Sequence, residues 1–469
     1  MNPPRPAIPV LRLRERLTPL LDHLEASLIE RGRIVRLAFL AALAGEHTLL
    51  VGPPGTGKSE LARRLHLAFA GARYFERLLT RFTVPEELFG PLSISALEQD
   101  RYERMTAGFL PQATIAFIDE VFKANSAILN ALLTLLNERE FDNGAGRERC
   151  PLISVIGATN EVPADEVAEA FFDRFLMRLP VGPVSAPGFR SLLELDDKAL
   201  QAVPDPLTEA DLAALQAAAA AVSLPDESAA LLAELRALLA GEQVYVSDRR
   251  WVKVAWLLKV AAASEGRAAV AIWDLWLLPW CVAPSLERQA AISAWLTGRL
   301  GLQAGMAPPL LTRVVEAFEA QASLEQKAED LDYDDEGRLR FSPDLDSQVN
   351  DAKGASQSMR MSYRRRRLYG EIHIAARVRQ IDELIERIAG QAEAIAARRA
   401  ELAAYTAQSI WLDRDFAAQA DANLAATDQA IEALRLRSLA AREAFMTLPR
   451  RAVDTGQVPE PVTVAALPA

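Results

Sequence analysis

The stretch LLVGPPGTGKSE at residues 49–60 constrains this chain more than any other part of it. An apolar run, His47 to Val51, meets a glycine-rich turn, and Lys58 and Ser59 open a run of helix formers, so the predicted order is strand, loop, helix. Gly52, Gly55 and Gly57 can take backbone angles closed to residues with a Cβ. Successive N–H groups can then converge on an anion at the positive end of the following helix. Gly52, Pro53, Pro54, Gly55, Thr56, Gly57, Lys58, Ser59 and Glu60 are therefore the candidate phosphate cradle. In such a cradle Lys58 is expected to reach the β- and γ-phosphates of a nucleotide, and the Ser59 hydroxyl to ligate Mg²⁺.

A second half to the site is predicted at residues 114–120, TIAFIDE. A run of apolar residues ending in two acids reads as a buried central strand that delivers carboxylates to its C-terminal edge, where ligands of open α/β sheets bind. Asp119 is expected to hold Mg²⁺ through its water shell, and Glu120 to take a proton from the attacking water. A third apolar strand over 152–157 ends in Ala158, Thr159 and Asn160. Asn160 reads either as a polar strand cap or as an amide that orients water against the γ-phosphate, and a place beside the strand at 115–118 favours the second. In the run AFFDRFL at 170–176, Arg174 is either the ion-pair partner of Asp173 or a guanidinium that reaches a neighbouring subunit's nucleotide.

Length and composition set the frame for these motifs. At 469 residues the chain is too long for one core, and two to four domains are expected. A net charge of −11 argues against a surface that binds nucleic acid as a whole, and protein partners are expected instead. Cys150 and Cys281 are too few for a disulfide framework or a cysteine-built metal site, and fit a reducing compartment. The first ten residues, MNPPRPAIPV, lack a signal-peptide pattern, and the most apolar later stretch, 268–284, contains Asp274 and Pro279. No membrane span and a cytoplasmic location are therefore expected.

Residues 11–44 carry apolar positions at helical spacing, which predicts two helices joined near Gly32 and leading into the first strand. A second strand is predicted over 74–80. The βαβ order implies a parallel sheet with helices on both faces. Residues 101–111 read as a small hairpin inserted into a helix or as a surface connection, and residues 142–146 as a turn.

In this order and spacing GPPGTGKS, FIDE, GATN and FFDRF resemble an AAA+ ATPase of the MoxR branch. The phrases FTVPEELFGPLS, GFLPQATIAFIDEVFKANSAILNALLTLLNEREFDNG and VSDRRW resemble the RavA-type regulatory ATPases, and the likeness covers about residues 11–300. The resemblance implies that Asn160 is the sensor-1 residue, that Arg174 is a trans-acting arginine finger and that residues 101–111 are the hairpin insert of helix 2. It also implies a helical lid after Pro183 with a sensor-2 region at 247–250, where Arg249 is the first choice for contact with phosphate and Arg250 the second. It further implies ATP and Mg²⁺ as cofactors, a hexameric ring, a von Willebrand factor A partner and chaperone-like remodelling of protein complexes. A nucleic-acid-associated AAA+ motor is the alternative.

The expected architecture is an α/β AAA+ core over 1–184, an α-helical lid over 185–309, a helical coiled-coil arm over 310–453 with a short extended insert near 333–341, and a disordered tail over 454–469. In the lid a tryptophan stripe, Trp251, Trp256, Trp273, Trp276 and Trp280, reads as core. In the arm Val378, Ile381, Ile385, Ile388, Ala392, Ile395 and Leu402 form one seam, and Ala417, Ala420, Leu424, Ile431, Leu434, Ala441 and Phe445 a second. The break at 409–415 allows an antiparallel hairpin, with the helix at 310–324 as a third member. The basic run Arg364 to Arg367 reads as a salt-bridged face, a site for acidic partners or for the acids at 329–336, or a nucleic-acid patch. The compact β-rich domain of the RavA-type pattern is not visible between the arms.

Overall fold

Five strands build the centre of the first of two units in the computed structural model: β1 (His47–Val51), β2 (Tyr74–Leu78), β3 (Ile115–Asp119), β6 (Ser154–Thr159) and β7 (Phe175–Pro180). Between β3 and β6 the chain forms a separate hairpin of β4 (Glu140–Asn143) and β5 (Gly146–Arg149). The structure describes residues 13–26, 28–144, 146–160, 170–194, 203, 205–300, 308–331, 364–452, 456 and 458–463. One unit comprises Met1–Leu300 with Tyr405–Ala418, the other Gly301–Ala404 with Gln419–Ala469.

The sheet runs β2-β3-β6-β1-β7 and every neighbouring pair is parallel. All five strands therefore start at one edge, where His47, Ser154 and Phe175 lie, and end at the other, where Val51, Asp119 and Thr159 lie. Strands β1, β3 and β6 and the edge strand β7 are buried almost throughout, as helices on both faces require, whereas β2, at the opposite edge, is only half-buried. Strand β7 was not evident from the sequence because Arg178 interrupts its apolar run. Its guanidinium lies 3.8 Å over the ring of Phe172 and donates to the Ala283 carbonyl, which makes a buried position in this edge strand tolerable for a cation.

The two predicted N-terminal helices are Leu13–Glu25 and Gly32–Leu43, and from Leu37 to Leu43 the second is buried at every position. The hairpin expected over 101–111 takes a different form. A single antiparallel bridge pairs Leu92 with Arg104, because the short helix Ile94–Leu97 occupies the chain between them. The turn expected at 142–146 is the tip of the β4–β5 hairpin.

The helical lid consists of Glu209–Ala221, Asp226–Gly241, Asp248–Ser264, an irregular helical stretch over 272–282, and Leu286–Arg299. Ser247 caps the third of these by accepting from the Arg250 N–H. Trp273 and Trp276 belong to the core, while Trp251, Trp256 and Trp280 are half-buried. Cys150 and Cys281 are both buried free thiols.

In the second unit the helices Pro308–Lys327, Glu371–Gln408 and Arg414–Met446 associate through apolar seams: Leu311, Val315 and Phe318; Ile381, Leu384, Ile388 and Ile395; Leu424, Ile431, Leu434 and Phe445. The seam differs from the sequence reading at three positions, and at one of them Ala392 is only half-buried. Arg377 and Leu384 are buried where Val378 and Ile385 were expected, since Glu325 of the first helix pairs with Arg377 at 2.8 Å and draws that face inward. Arg364–Arg366 pairs as an antiparallel strand with Glu329–Leu331, and Arg367 lies 3.6 Å from Asp330. The basic run thus meets the start of the acidic cluster. The insert expected at 333–341 lies outside the described residues. Of the tail, the Glu460 carbonyl accepts from Arg377 at 2.7 Å.

His47 opens β1 with both ring nitrogens engaged. Nδ1 accepts from the Val155 N–H at 2.9 Å, so Nε2 carries the proton and faces the Leu136 carbonyl at 3.2 Å. Burial and the nearby Arg139 charge hold its pKa well below the ordinary value. The folded protein keeps this ring neutral while the unfolded chain takes up a proton near pH 6.5, so stability should fall as pH drops through that value, by up to ~1.4 kcal/mol per pH unit. Urea unfolding at pH 5.5 and 7.5 should show a smaller difference in His47→Gln than in wild type.

Candidate active site

At the C-terminal edge of the sheet, β1 is clamped on both sides just before the glycine-rich loop. Val181 N–H donates to the Val51 carbonyl at 2.8 Å, and Gly52 N–H to the Thr159 carbonyl at 2.9 Å. A Cβ at Gly52 would collide with the Val181 carbonyl, so the loop leaves the sheet at a position open only to glycine. Gly55 (φ 77°) and Gly57 (φ 82°) then turn the chain through the left-handed region into the helix Lys58–Leu65. Thr56 Oγ1 donates to the Pro53 carbonyl at 3.0 Å. Lys58 Nζ donates to the carbonyls of Gly52 and Pro53, at 2.6 and 2.9 Å. Burial lowers the Lys58 pKa, while the charges of Asp119 and Glu120 act the other way. The ammonium thus lies inside the loop and within the field of both acids. The Glu60 carboxylate pairs with Arg64 one turn on, at 3.0 Å.

The two acids end β3 on the same edge. Asp119 Oδ1 accepts from the Glu120 N–H at 2.9 Å, and Glu120 itself sits in the left-handed region at φ 51°. Such a conformation costs a residue with a Cβ ~1–2 kcal/mol and persists only where its surroundings enforce it. Here it turns the chain away from the strand at Glu120, whose carboxylate is 3.3 Å from Lys123. Asn160, exposed, follows β6 directly, and β6 lies between β3 and β1. The fold therefore brings the glycine loop, Lys58, Ser59, Asp119, Glu120 and Asn160 to one edge. A serine hydroxyl on the first helical turn and an aspartate at the end of β3, with β6 between its strand and β1, would give an all-oxygen donor set, which suits a hard cation such as Mg²⁺.

Arg174, Arg249 and Arg250 lie at the other edge, at the start of β7. Arg250 is 3% exposed and bonds to Asp173 and to the carbonyls of Phe175 and Leu176, with Nη1 3.1 Å from the Asp173 carboxylate. Next along the same helix, Lys253 pairs with Glu46, which precedes β1, at 2.5 Å, and Trp256 donates to the Ala44 carbonyl. Arg249 is exposed and donates to Asn137 Oδ1 at 3.0 Å, near the end of the helix Ser126–Glu138. Arg174 lies 3.6 Å from Asp173, and burial together with the nearby Arg249 charge lowers its pKa. Arg250, the second choice for contact with phosphate, has its guanidinium buried and engaged by Asp173 and backbone carbonyls of its own unit. Arg249 also lies away from its own cradle, by a strand length of roughly 15 Å.

Two family models match. That of the MoxR domain of MoxR–vWA–β-propeller ternary systems covers residues 15–216, and an AAA lid domain covers 227–296. An uncharacterised protein of Methanocaldococcus jannaschii is 41% identical over 268 residues, which span 57% of this chain and 70% of that one. This chain belongs to the MoxR-type AAA+ ATPases. A second M. jannaschii protein is 41% identical over 248 residues and is covered to 65% of its length; the protein MoxR of Paracoccus denitrificans is 30% identical over 182 residues and is covered to 52%. The fold matches that of a candidate ATPase from Cytophaga hutchinsonii with a TM-score of 0.50, at 18% identity, over 60% of this chain and 91% of that one. The MoxR-type core and lid thus carry the resemblance, and the lid model begins after the helix Glu209–Ala221.

Around this MoxR-type site Arg31 and Asn137 escaped the sequence reading, while Asp173, expected as a partner of Arg174, also takes on others. Arg31, buried at the start of the helix Gly32–Leu43, donates to the Thr56 carbonyl in the loop at 3.3 Å and to the Gly182 carbonyl at 2.7 Å. Asp173 joins Arg250, Arg174 and Ser247. The alternation of charge in FFDRF hinted at Asp173, but nothing local to Arg31 or Asn137 announces partners 25 and 112 residues away. Arg250→Met should destabilise the protein by about 3–5 kcal/mol, since several carbonyls lose their donor, whereas Arg249→Ala should stay within ~0.5 kcal/mol. Denaturant unfolding of the two variants measures the contrast.

Proposed function

We propose that this chain is an Mg²⁺-dependent ATPase that works as a ring, in which Arg174 and Arg249 of one copy serve the nucleotide of the next. The observation that carries this reading is the division of one catalytic set between opposite edges of the sheet. In it the loop N–H groups and Lys58 hold the β- and γ-phosphates, Asn160 orients the attacking water and Glu120 accepts its proton. Ser59 and Asp119 would hold Mg²⁺, which neutralises charge on the phosphate oxygens when bound. Arg174 is a finger supplied by the neighbour. Arg249, set beside it by Asn137, also acts on the neighbour and not as a sensor for its own nucleotide.

The matched description names MoxR–vWA–β-propeller systems. RavA-type ATPases likewise work with a von Willebrand factor A protein, so we take such a protein as the partner and remodelling of protein complexes as the role. A hexamer and a cytoplasmic location follow the family. No helix among the described residues is long and apolar enough to cross a membrane. The nucleic-acid motor is the weaker reading, because the chain is acidic overall and Arg367 of the basic run lies 3.6 Å from Asp330.

Glu120→Gln should lower ATP turnover by at least ~100-fold and leave nucleotide binding intact. Arg174→Ala and Arg249→Ala should each be slow alone, and each should regain turnover when mixed with Glu120→Gln subunits, which supply both arginines. Release of phosphate by the mixtures is the measurement. A mixture no faster than its two components would sink the trans assignment for that arginine.

A further inference from the structure

The turn between the two longest helices is built into the ATPase unit. Residues Tyr405–Ala418 cluster with Met1–Leu300, and Ile410, Trp411 and Leu412 are all buried. Two separate parts of that unit hold them. On the core side, Arg36 Nη1 donates to the Ile410 carbonyl at 2.8 Å, Arg33 lies 3.7 Å from Asp413, and the Phe39 ring meets Trp411 at 6.4 Å between centroids. On the lid side, Trp411 Nε1 donates to Ser264 Oγ at 2.8 Å. Glu265 Oε1 accepts from both Ser409 Oγ and the Ile410 N–H at 2.7 Å. Tyr405 donates to Asp274, which Arg267 grips with two bonds of 2.7 Å.

The core-side contacts share one element. Arg33, Arg36 and Phe39 repeat every three residues along one side of the helix Gly32–Leu43. Arg31, at the start of that helix, binds the Thr56 carbonyl of the phosphate loop. The helix therefore has the hairpin turn along its side and the phosphate loop at its start. A helix with most of its residues buried transmits displacement as a rigid body.

We propose that the hairpin turn at 405–418 is a latch that braces the lid against the core and, through the helix Gly32–Leu43, makes Arg31 the residue that positions the phosphate loop. Movement of the long helices then reaches the loop, and movement between lid and core reaches the helices, because coupling of this kind is reciprocal. Its significance for turnover rests on the ATPase reading above. The coupling itself does not, so it is tested without nucleotide.

Backbone hydrogen exchange of the full chain, read by mass spectrometry over residues 52–60, 405–418 and 115–119, provides the test. In Trp411→Ala the turn and the loop should both exchange several-fold faster, while the central strand at 115–119 keeps its wild-type rate. The double variant Arg36→Met, Asp413→Asn leaves the apolar contacts in place and should give the same pattern more weakly, which guards against a Trp411 variant that folds poorly. Arg31→Met should speed the loop most, and Arg31→Lys should restore part of its protection. The proposal is overturned if the turn loosens and the loop does not, if all three segments accelerate alike, or if the turn keeps its protection in both latch variants. Failure of the mixing experiment with an intact exchange pattern would remove the ring reading and leave the latch standing.

Discussion

Parallel pairing across all five strands is the constraint on which the rest depends. It gives the sheet two chemically unlike edges, one that ends in the glycine loop and the acids of β3, and one that begins beside a cluster of arginines around Asp173. The glycine loop, Asp119, Glu120 and Asn160 share the first edge, while Asp173, Arg174 and the N-terminus of the lid helix Asp248–Ser264 share the second. A side chain cannot cross the depth of the sheet. Within one copy the two groups of residues therefore stand apart, and the proposed ring rests on that separation.

The attachment of the lid is equally specific. Arg250, Lys253 and Trp256 anchor it to the residues just before and within the starts of β1 and β7. A buried guanidinium with several carbonyl acceptors fixes orientation more than it adds stability, since desolvating the cation offsets much of the attraction. The hairpin turn at 405–418 adds a second fastening to the lid, at Ser264, Glu265 and Asp274, the far end of that lid helix and the segment after it. The lid is thus held at both ends of one helix, by groups distant from it in the chain.

Much of this was legible in the sequence because the signals were local. The cradle, the strand before it and the acids of β3 are each contiguous runs whose spacing alone dictates strand, turn or helix. The hairpin of long helices was legible from its seams. What escaped depends on distant partners: β7, where Phe172 and Ala283 make Arg178 acceptable; the shift of the arm seam to Arg377, set by Glu325; and Arg31, which reaches a loop 25 residues on. The sensor-2 arginines show the limit most clearly. The motif was found, but the edge of the sheet that it faces is a property of how the lid docks.

Arg249 and Arg250 are neighbours in the chain, and one helical step of about 100° places one in water and the other in the interior. Their histories under mutation must differ accordingly. Arg249, exposed and bonded through Asn137, can be exchanged while the fold stays intact. Arg250 can be exchanged only if Asp173 and the carbonyls around it find another donor at the same time. Two identical letters side by side thus evolve under separate rules, one exposed at the surface and the other part of the frame.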